Sequence, residues 1–188
     1  MFFQNKSALF RQQSVLLSFI FLIICINPVS GLAASLDDYR LGAGDKIRIQ
    51  VFGEDDLTVE TLVGEAGTLS YPFLGEITVK GQTLSGLEKF IAGKLKGPYL
   101  VDPEVTVSIL EYRQFYVNGH VQKPGGFPFQ PGMTVRKAIS LAGGFEERAN
   151  KEKVFVVHGD DPNGVQIPVK LEALVQPGDI VTVDRSFF

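Results

Sequence analysis

Between Tyr71 and Phe145 the chain twice runs from a strand-like stretch, through a glycine and a threonine, into a short apolar-striped helix. The first copy places Ile77-Thr78-Val79 and Gly81-Gln82-Thr83 ahead of Leu84, Leu87, Ile91 and Leu95 at helical spacing, with Phe90 widening the stripe. The second places Phe115-Tyr116-Val117, His120-Val121 and Gly132-Met133-Thr134 ahead of Val135, Ala138, Ile139 and Ala142. In both, the threonine hydroxyl can accept from an orphan amide of the first helical turn. Gly97-Pro98 stops the first helix and Gly143-Gly144 the second. Gly86 and Gly93 weaken the first helix by roughly 1 kcal/mol each relative to alanine, so it depends on docking against a sheet. A shorter echo links Gly44-Asp45-Lys46-Ile47-Arg48-Ile49 to Gly178-Asp179-Ile180-Val181-Thr182-Val183.

Strands surround the two helices. Lys46 to Phe52 alternates polar and apolar residues, as a strand with one buried face does. Leu57 to Val63, Val105 to Leu110, Val154 to Val157, Val165 to Val169 and Ile180 to Val183 supply the others. Gly53 to Asp56, Gly64 to Gly67 and Lys123-Pro124-Gly125-Gly126 read as turns, and Gly159 to Gly164 as the bend of a hairpin. Strands mixed with only two short helices, joined by hairpin-length connections, predict an α+β fold. The repeat divides it into two small mixed domains, 34–111 and 112–188, meeting near Glu111-Tyr112.

Residues 1–33 read as a signal peptide. Lys6 and Arg11 form a positive leader, Val15 to Ile26 is an uncharged apolar run, and Gly31-Leu32-Ala33 offers small residues for cleavage. The run is about 12 residues, within the roughly 7–15 of a secretory core and short of the ~20 that span a bilayer. An uncleaved anchor is the competing reading; cleavage near Ala33 is preferred. Cys25, the single cysteine, lies inside this run behind Ile24, which disfavours lipid modification. The mature chain would then hold no cysteine for a disulfide or a thiolate zinc site. It would carry 16 basic and 21 acidic residues, because Lys6 and Arg11 leave with the leader. A mildly acidic chain without a basic run gives no electrostatic footprint for nucleic acid.

The residue types of covalent and acid–base chemistry are not gathered anywhere. His120 and His158, the two histidines, have no neighbours at metal-ligand spacing. Asp160-Asp161-Pro162-Asn163-Gly164 lacks the ligand alternation and closing glutamate of a calcium loop and reads as a turn. Glu65, Glu76, Glu104 and Glu111 could in principle partner one another, but nothing in the sequence places any two together as a glycosidase pair requires. The sequence therefore predicts no catalytic residue, no cofactor and no metal. Aromatics beside glycine or proline remain: Tyr71, Phe73, Tyr99, Phe127 and Phe129, whose faces suit the C–H faces of sugars or a partner surface. Phe73 and Phe129 are read as core; Tyr71, Tyr99 and Phe127 are the predicted contacts. Phe187 and Phe188 join them, either as a docking contact for a membrane partner or as a cap on the second core.

Several of these segments, in order, resemble the outer-membrane polysaccharide export family, the Wza-like proteins. The likeness begins at Tyr39-Arg40-Leu41-Gly42-Ala43-Gly44-Asp45 and runs through Lys46 to Phe52. It continues with Tyr71-Pro72-Phe73-Leu74-Gly75, Gly81-Gln82-Thr83-Leu84 and Asp102-Pro103-Glu104-Val105-Thr106-Val107. These look like the polysaccharide export domain. Val117 to Val121, Lys123-Pro124-Gly125, Ala138 to Gly144 and Pro177 to Val183 look like the β-grasp domain known as SLBB. The resemblance implies export of a capsular or exopolysaccharide, ring-shaped homo-oligomers, and a location in the periplasm at the outer membrane. It implies as partners the polymer, an inner-membrane polysaccharide co-polymerase and, since no pore-forming helix follows Phe188, a separate outer-membrane β-barrel porin. The other reading is a periplasmic carbohydrate- or ligand-binding module that forms no conduit. Oligomeric state separates the two.

Overall fold

The computed structural model describes residues 39–186 of the 188-residue chain. The expected signal peptide at 1–33 and the contacts expected of Phe187 and Phe188 lie outside the described residues. Alternation in the first half produces β1 (Lys46–Val51), which buries Ile47, Ile49 and Val51 and exposes Arg48 and Gln50. β1 is the middle strand of an antiparallel three-stranded sheet, between β2 (Val59–Leu62) and β5 (Val105–Glu111). A hairpin of β3 (Thr68–Tyr71) and β4 (Gly75–Thr78) stands beside it. Helix α1 (Leu84–Leu95) starts where Thr83 Oγ1 accepts from the Gly86 amide at 3.1 Å. Its stripe of Leu87, Ile91 and Leu95 closes the first core against the sheet and the hairpin.

The second half builds a five-stranded mixed sheet in the order β7-β6-β10-β8-β9. These are β6 (Phe115–Gly119), β7 (Gly125–Phe127), β8 (Ala149–Val157), β9 (Ile167–Pro168) and β10 (Ile180–Arg185). β10 runs parallel to β6 and antiparallel to β8. Helix α2 (Val135–Leu141), capped by Thr134 Oγ1 on the Lys137 amide at 3.3 Å, packs Val135, Ala138 and Ile139 into the second core. The α+β class and the β-grasp-like second domain both hold. β5 and β6, adjacent in sequence, belong to different sheets.

Three local expectations change. Gly125-Gly126, read as part of a turn, begins β7 and pairs with Val117 and Tyr116. β8 starts at Ala149, five residues before the apolar run: Ala149 pairs with Arg185 of β10, and Asn150 to Lys153 fall at a register shift between that pair and Val154–Val183. The strand-like stretch that opens at Tyr71 is not continuous: the chain turns sharply after Tyr71, with the Leu74 amide bonded to the Pro72 carbonyl at 2.8 Å.

Candidate functional site

The Gly-Asp echo is the structural centre of the molecule. Asp45 and Asp179 are the two buried charged residues among those described. Each follows a glycine at φ near +90° (Gly44 at 91°, Gly178 at 89°), a conformation that suits glycine alone. Each aspartate then folds back on its own turn. The Gly42 amide donates to Asp45 Oδ2 and the Gln176 amide to Asp179 Oδ2, both at 2.8 Å. The same local geometry therefore starts β1 in the first sheet and β10 in the second.

What completes each carboxylate differs. Asp45 accepts from the Tyr39 hydroxyl at 2.7 Å, the Arg113 amide at 2.8 Å and the Arg113 guanidinium at 3.3 Å. Arg113 also donates to the Tyr39 oxygen at 2.9 Å. Burial first, then the carboxylate of Asp45, pushes the Tyr39 phenol far above its ordinary range, so it stays a donor. Asp179 is met by His158 Nδ1 at 2.9 Å. The Arg113 side chain lies across both turns: a Cβ on Gly42 would fall 2.2 Å from its Nη1, and one on Gly178 would fall 2.7 Å from its Nε. The Gly178 amide also donates to the Gln114 carbonyl at 3.1 Å, and the Tyr116 amide to the Asp179 carbonyl at 2.8 Å. One arginine in the linker thus fastens the two domains at their repeated turn.

A cleft of about 600 Å³ opens beside this junction, with Arg40, Lys46, Lys80, Glu111, Tyr112, Tyr116 and Asp160 among its walls. Lys46 reaches Glu111 at 3.5 Å in the open, a contact of little energetic weight. Among the described residues no group of histidine, cysteine and carboxylate side chains is placed to hold a metal ion.

Asp179 gives the junction a pH dependence. Burial raises its carboxyl above the ordinary 3.8, against the lowering effect of the Gln176 amide and His158. The folded state therefore holds this proton more tightly than the unfolded chain. The stability it brings is complete below the ordinary value and is lost as pH rises through the raised one. An Asp179→Asn variant cannot titrate. Chemical denaturation at several pH values should show wild type losing stability relative to the variant as pH climbs through the acid range; a constant difference would refute the assignment.

The structure redistributes the predicted aromatic contacts. Tyr71 is only 2% exposed, and its hydroxyl donates to the Leu57 carbonyl at 2.9 Å. It anchors the β3–β4 hairpin and is not a surface contact, because strand alternation carries it inward with Leu69. Phe127 lies in β7 with its ring 6.0 Å from that of Phe115, packed on the second core. Phe129 packs there too, edge-on to Tyr112. Tyr99 is half exposed and stacks on Phe73 at a centroid distance of 4.9 Å. Phe73, read as core, is 65% exposed at the hairpin apex. Its position beside Pro72, at a turn between two strands, was the signal that could have found it.

Two sheets, each served by a threonine-capped helix and joined at a duplicated Gly-Asp turn, define a two-domain α+β module with a β-grasp-like second half. Residues 33–110 match the family described as polysaccharide biosynthesis/export protein, and residues 114–170 match the SLBB domain. The chain belongs to the Wza-like polysaccharide export family and carries a single SLBB domain. It is 31% identical to the exopolysaccharide production protein ExoF of Rhizobium meliloti, over 76% of this chain and 37% of that one. It is 26% identical to the EPS I polysaccharide export outer membrane protein EpsA of Ralstonia nicotianae, over 84% and 50% respectively. With the polysialic acid transport protein KpsD of Escherichia coli it shares 27% identity, over 65% of this chain and 23% of the relative. The chain thus spans half or less of the length of these curated relatives.

Proposed function

We propose that this protein is a component of a capsular or exopolysaccharide export system, working in the periplasm at the outer membrane to form or gate a conduit for the polymer. The observation that carries the reading is the succession of a polysaccharide export domain and an SLBB domain in one chain. Relatives named for exopolysaccharide production and for polysaccharide export at the outer membrane support it. A conduit requires a closed ring of identical copies in heterologous, head-to-tail contact. The partners are the polymer, an inner-membrane polysaccharide co-polymerase and a separate outer-membrane β-barrel porin. No step of bond making or breaking is assigned to the chain.

Deleting the gene tests this directly. The deletion strain should lose surface polymer, regain it on complementation, and still make the precursor. Native mass spectrometry of the mature protein should show a closed oligomer. Unchanged surface polymer would refute the export role. A monomer at all concentrations, alone and with its partners, would favour a ligand-binding module that forms no conduit.

A further inference from the structure

The apex of the β3–β4 hairpin is built to hold one aromatic ring outward. Tyr71 fixes its base, buried and bonded to the Leu57 carbonyl. Two residues on, Phe73 adopts φ 61°, the single positive φ at a non-glycine residue among those described. An L-residue with a Cβ avoids this region unless its surroundings enforce it, and such outliers collect at functional sites. The conformation buries nothing: it leaves Phe73 65% exposed. Tyr99, from the loop after α1, stacks on the ring with 22° between the planes.

Phe73 also forms a wall of a groove of about 550 Å³, together with Leu74, Glu76, Gln82, Phe90 and Lys94. Gln82 Nε2 is bonded to the Thr78 carbonyl, which leaves its amide oxygen available. The Lys94 ammonium lies 5.8 Å from the Phe90 ring centroid. Glu76 is steadied by the Thr68 hydroxyl at 2.6 Å. An aromatic face beside a few convergent polar groups is the composition of a small-ligand site. The apolar lining of Phe73, Leu74, Ile77 and Phe90 is bordered by carboxylate, carboxamide and ammonium. That suits a hydroxyl-rich pyranose, whose C–H face packs on an aromatic face, better than a cluster of apolar side chains.

We propose that Phe73, backed by Tyr99, is a stacking platform for a sugar ring of the exported polymer, with Gln82 and Lys94 meeting the ring hydroxyls. The inference rests on the export reading above. The probe is oligosaccharide released from the producing strain's own polymer, titrated into the full mature chain by isothermal calorimetry. The binding heat should saturate. Phe73→Gly should weaken binding at least tenfold with an unchanged or higher Tm, because glycine is at ease at this φ. Phe73→Asn, which also tolerates the conformation, should do the same, and Phe73→Tyr should keep binding.

No saturable binding of these oligosaccharides would overturn the platform. So would equal affinity in Phe73→Gly, or a change of oligomeric state with binding intact, which would make the apex a contact between copies. If gene deletion removes surface polymer but Phe73→Gly and Phe73→Asn both restore it fully with affinity unchanged, the platform fails and the export role stands. If deletion leaves surface polymer intact, the export reading itself fails.

Discussion

Replacing Arg113 with alanine is expected to destabilise the protein by about 3–5 kcal/mol, the range for removing one partner of a buried ion pair. Asp45 has no exposure to water, and the arginine side chain is only 19% exposed. The variant keeps the Gly42 and Arg113 amides and the Tyr39 hydroxyl on the carboxylate, but no cation. For a chain of this size the loss corresponds to a fall in Tm of roughly 10 °C. Arg113→Lys should recover only part of it, because Nη1 alone meets Tyr39, Asp45 and the Arg40 carbonyl and stands one bond further from the backbone than a lysine ammonium reaches. Pairing Arg113→Met with Asp45→Asn should restore more than half, since the cost lies in the orphaned charge and not in the missing attraction. Because Arg113 lies across both Gly-Asp turns, Arg113→Ala should also open the linker at 111–114 to proteases. Thermal melts and timed proteolysis read the two effects separately; a fall in Tm below about 2 °C with an unchanged digest would show that the arginine is dispensable.

The elements legible in the sequence were those whose signal is local. Thr83 and Thr134 announce their helices because a cap, a stripe and a stop occur within about four turns of chain. Ile47, Ile49 and Val51 announce β1 because alternation needs only neighbours. The Gly-Asp echo was visible as well, but its meaning was not. The partner of Asp45 lies 68 residues away in sequence, and that of Asp179 is a histidine just past the end of β8. No periodicity connects them. A buried acid at the head of a strand is the sign that could have prompted a search for a cation, and Arg113, the one arginine in the linker, was available to be found.

The inversion at the hairpin has a similar cause. Glycine and proline around Tyr71 and Phe73 suggest surface for both, while Phe73 is read as cover for the first core. Strand parity decides otherwise: Leu69 and Tyr71 share the buried face, and the turn that follows reverses the chain before Phe73 can join them. β7 was missed because Gly125-Gly126 carries turn chemistry. Its pairing to Tyr116 and Val117 comes from the neighbouring strand, not from its own side chains.

Gly119 should be the least replaceable glycine of the second sheet. It ends β6 at φ 80°, paired with Val183 of β10, the strand on which β6 and β8 both rest. A Cβ there would lie 2.1 Å from the Val183 carbonyl oxygen and 3.0 Å from its carbon. Those are backbone atoms of a central strand, so no side chain can rotate out of the way. The same carbonyl accepts from the His120 amide at 3.0 Å, and moving it breaks that bond. Gly119→Ala therefore combines roughly 1–2 kcal/mol for the left-handed backbone with about 1–3 kcal/mol or more for overpacking. Against a typical total near 5–15 kcal/mol, that leaves the second domain marginal or unfolded. Gly93→Ala is the matched control: it sits in α1, exposed, at ordinary helical φ, with nothing within 4 Å of the added carbon. It should gain about 0.5–1 kcal/mol. Amide exchange should show Gly119→Ala losing protection in β6, β10 and β8 first, while β1 and α1, held by a separate core, lose it later. Similar melting for the two variants would mean that the close approach of β6 to β10 is not what holds the sheet.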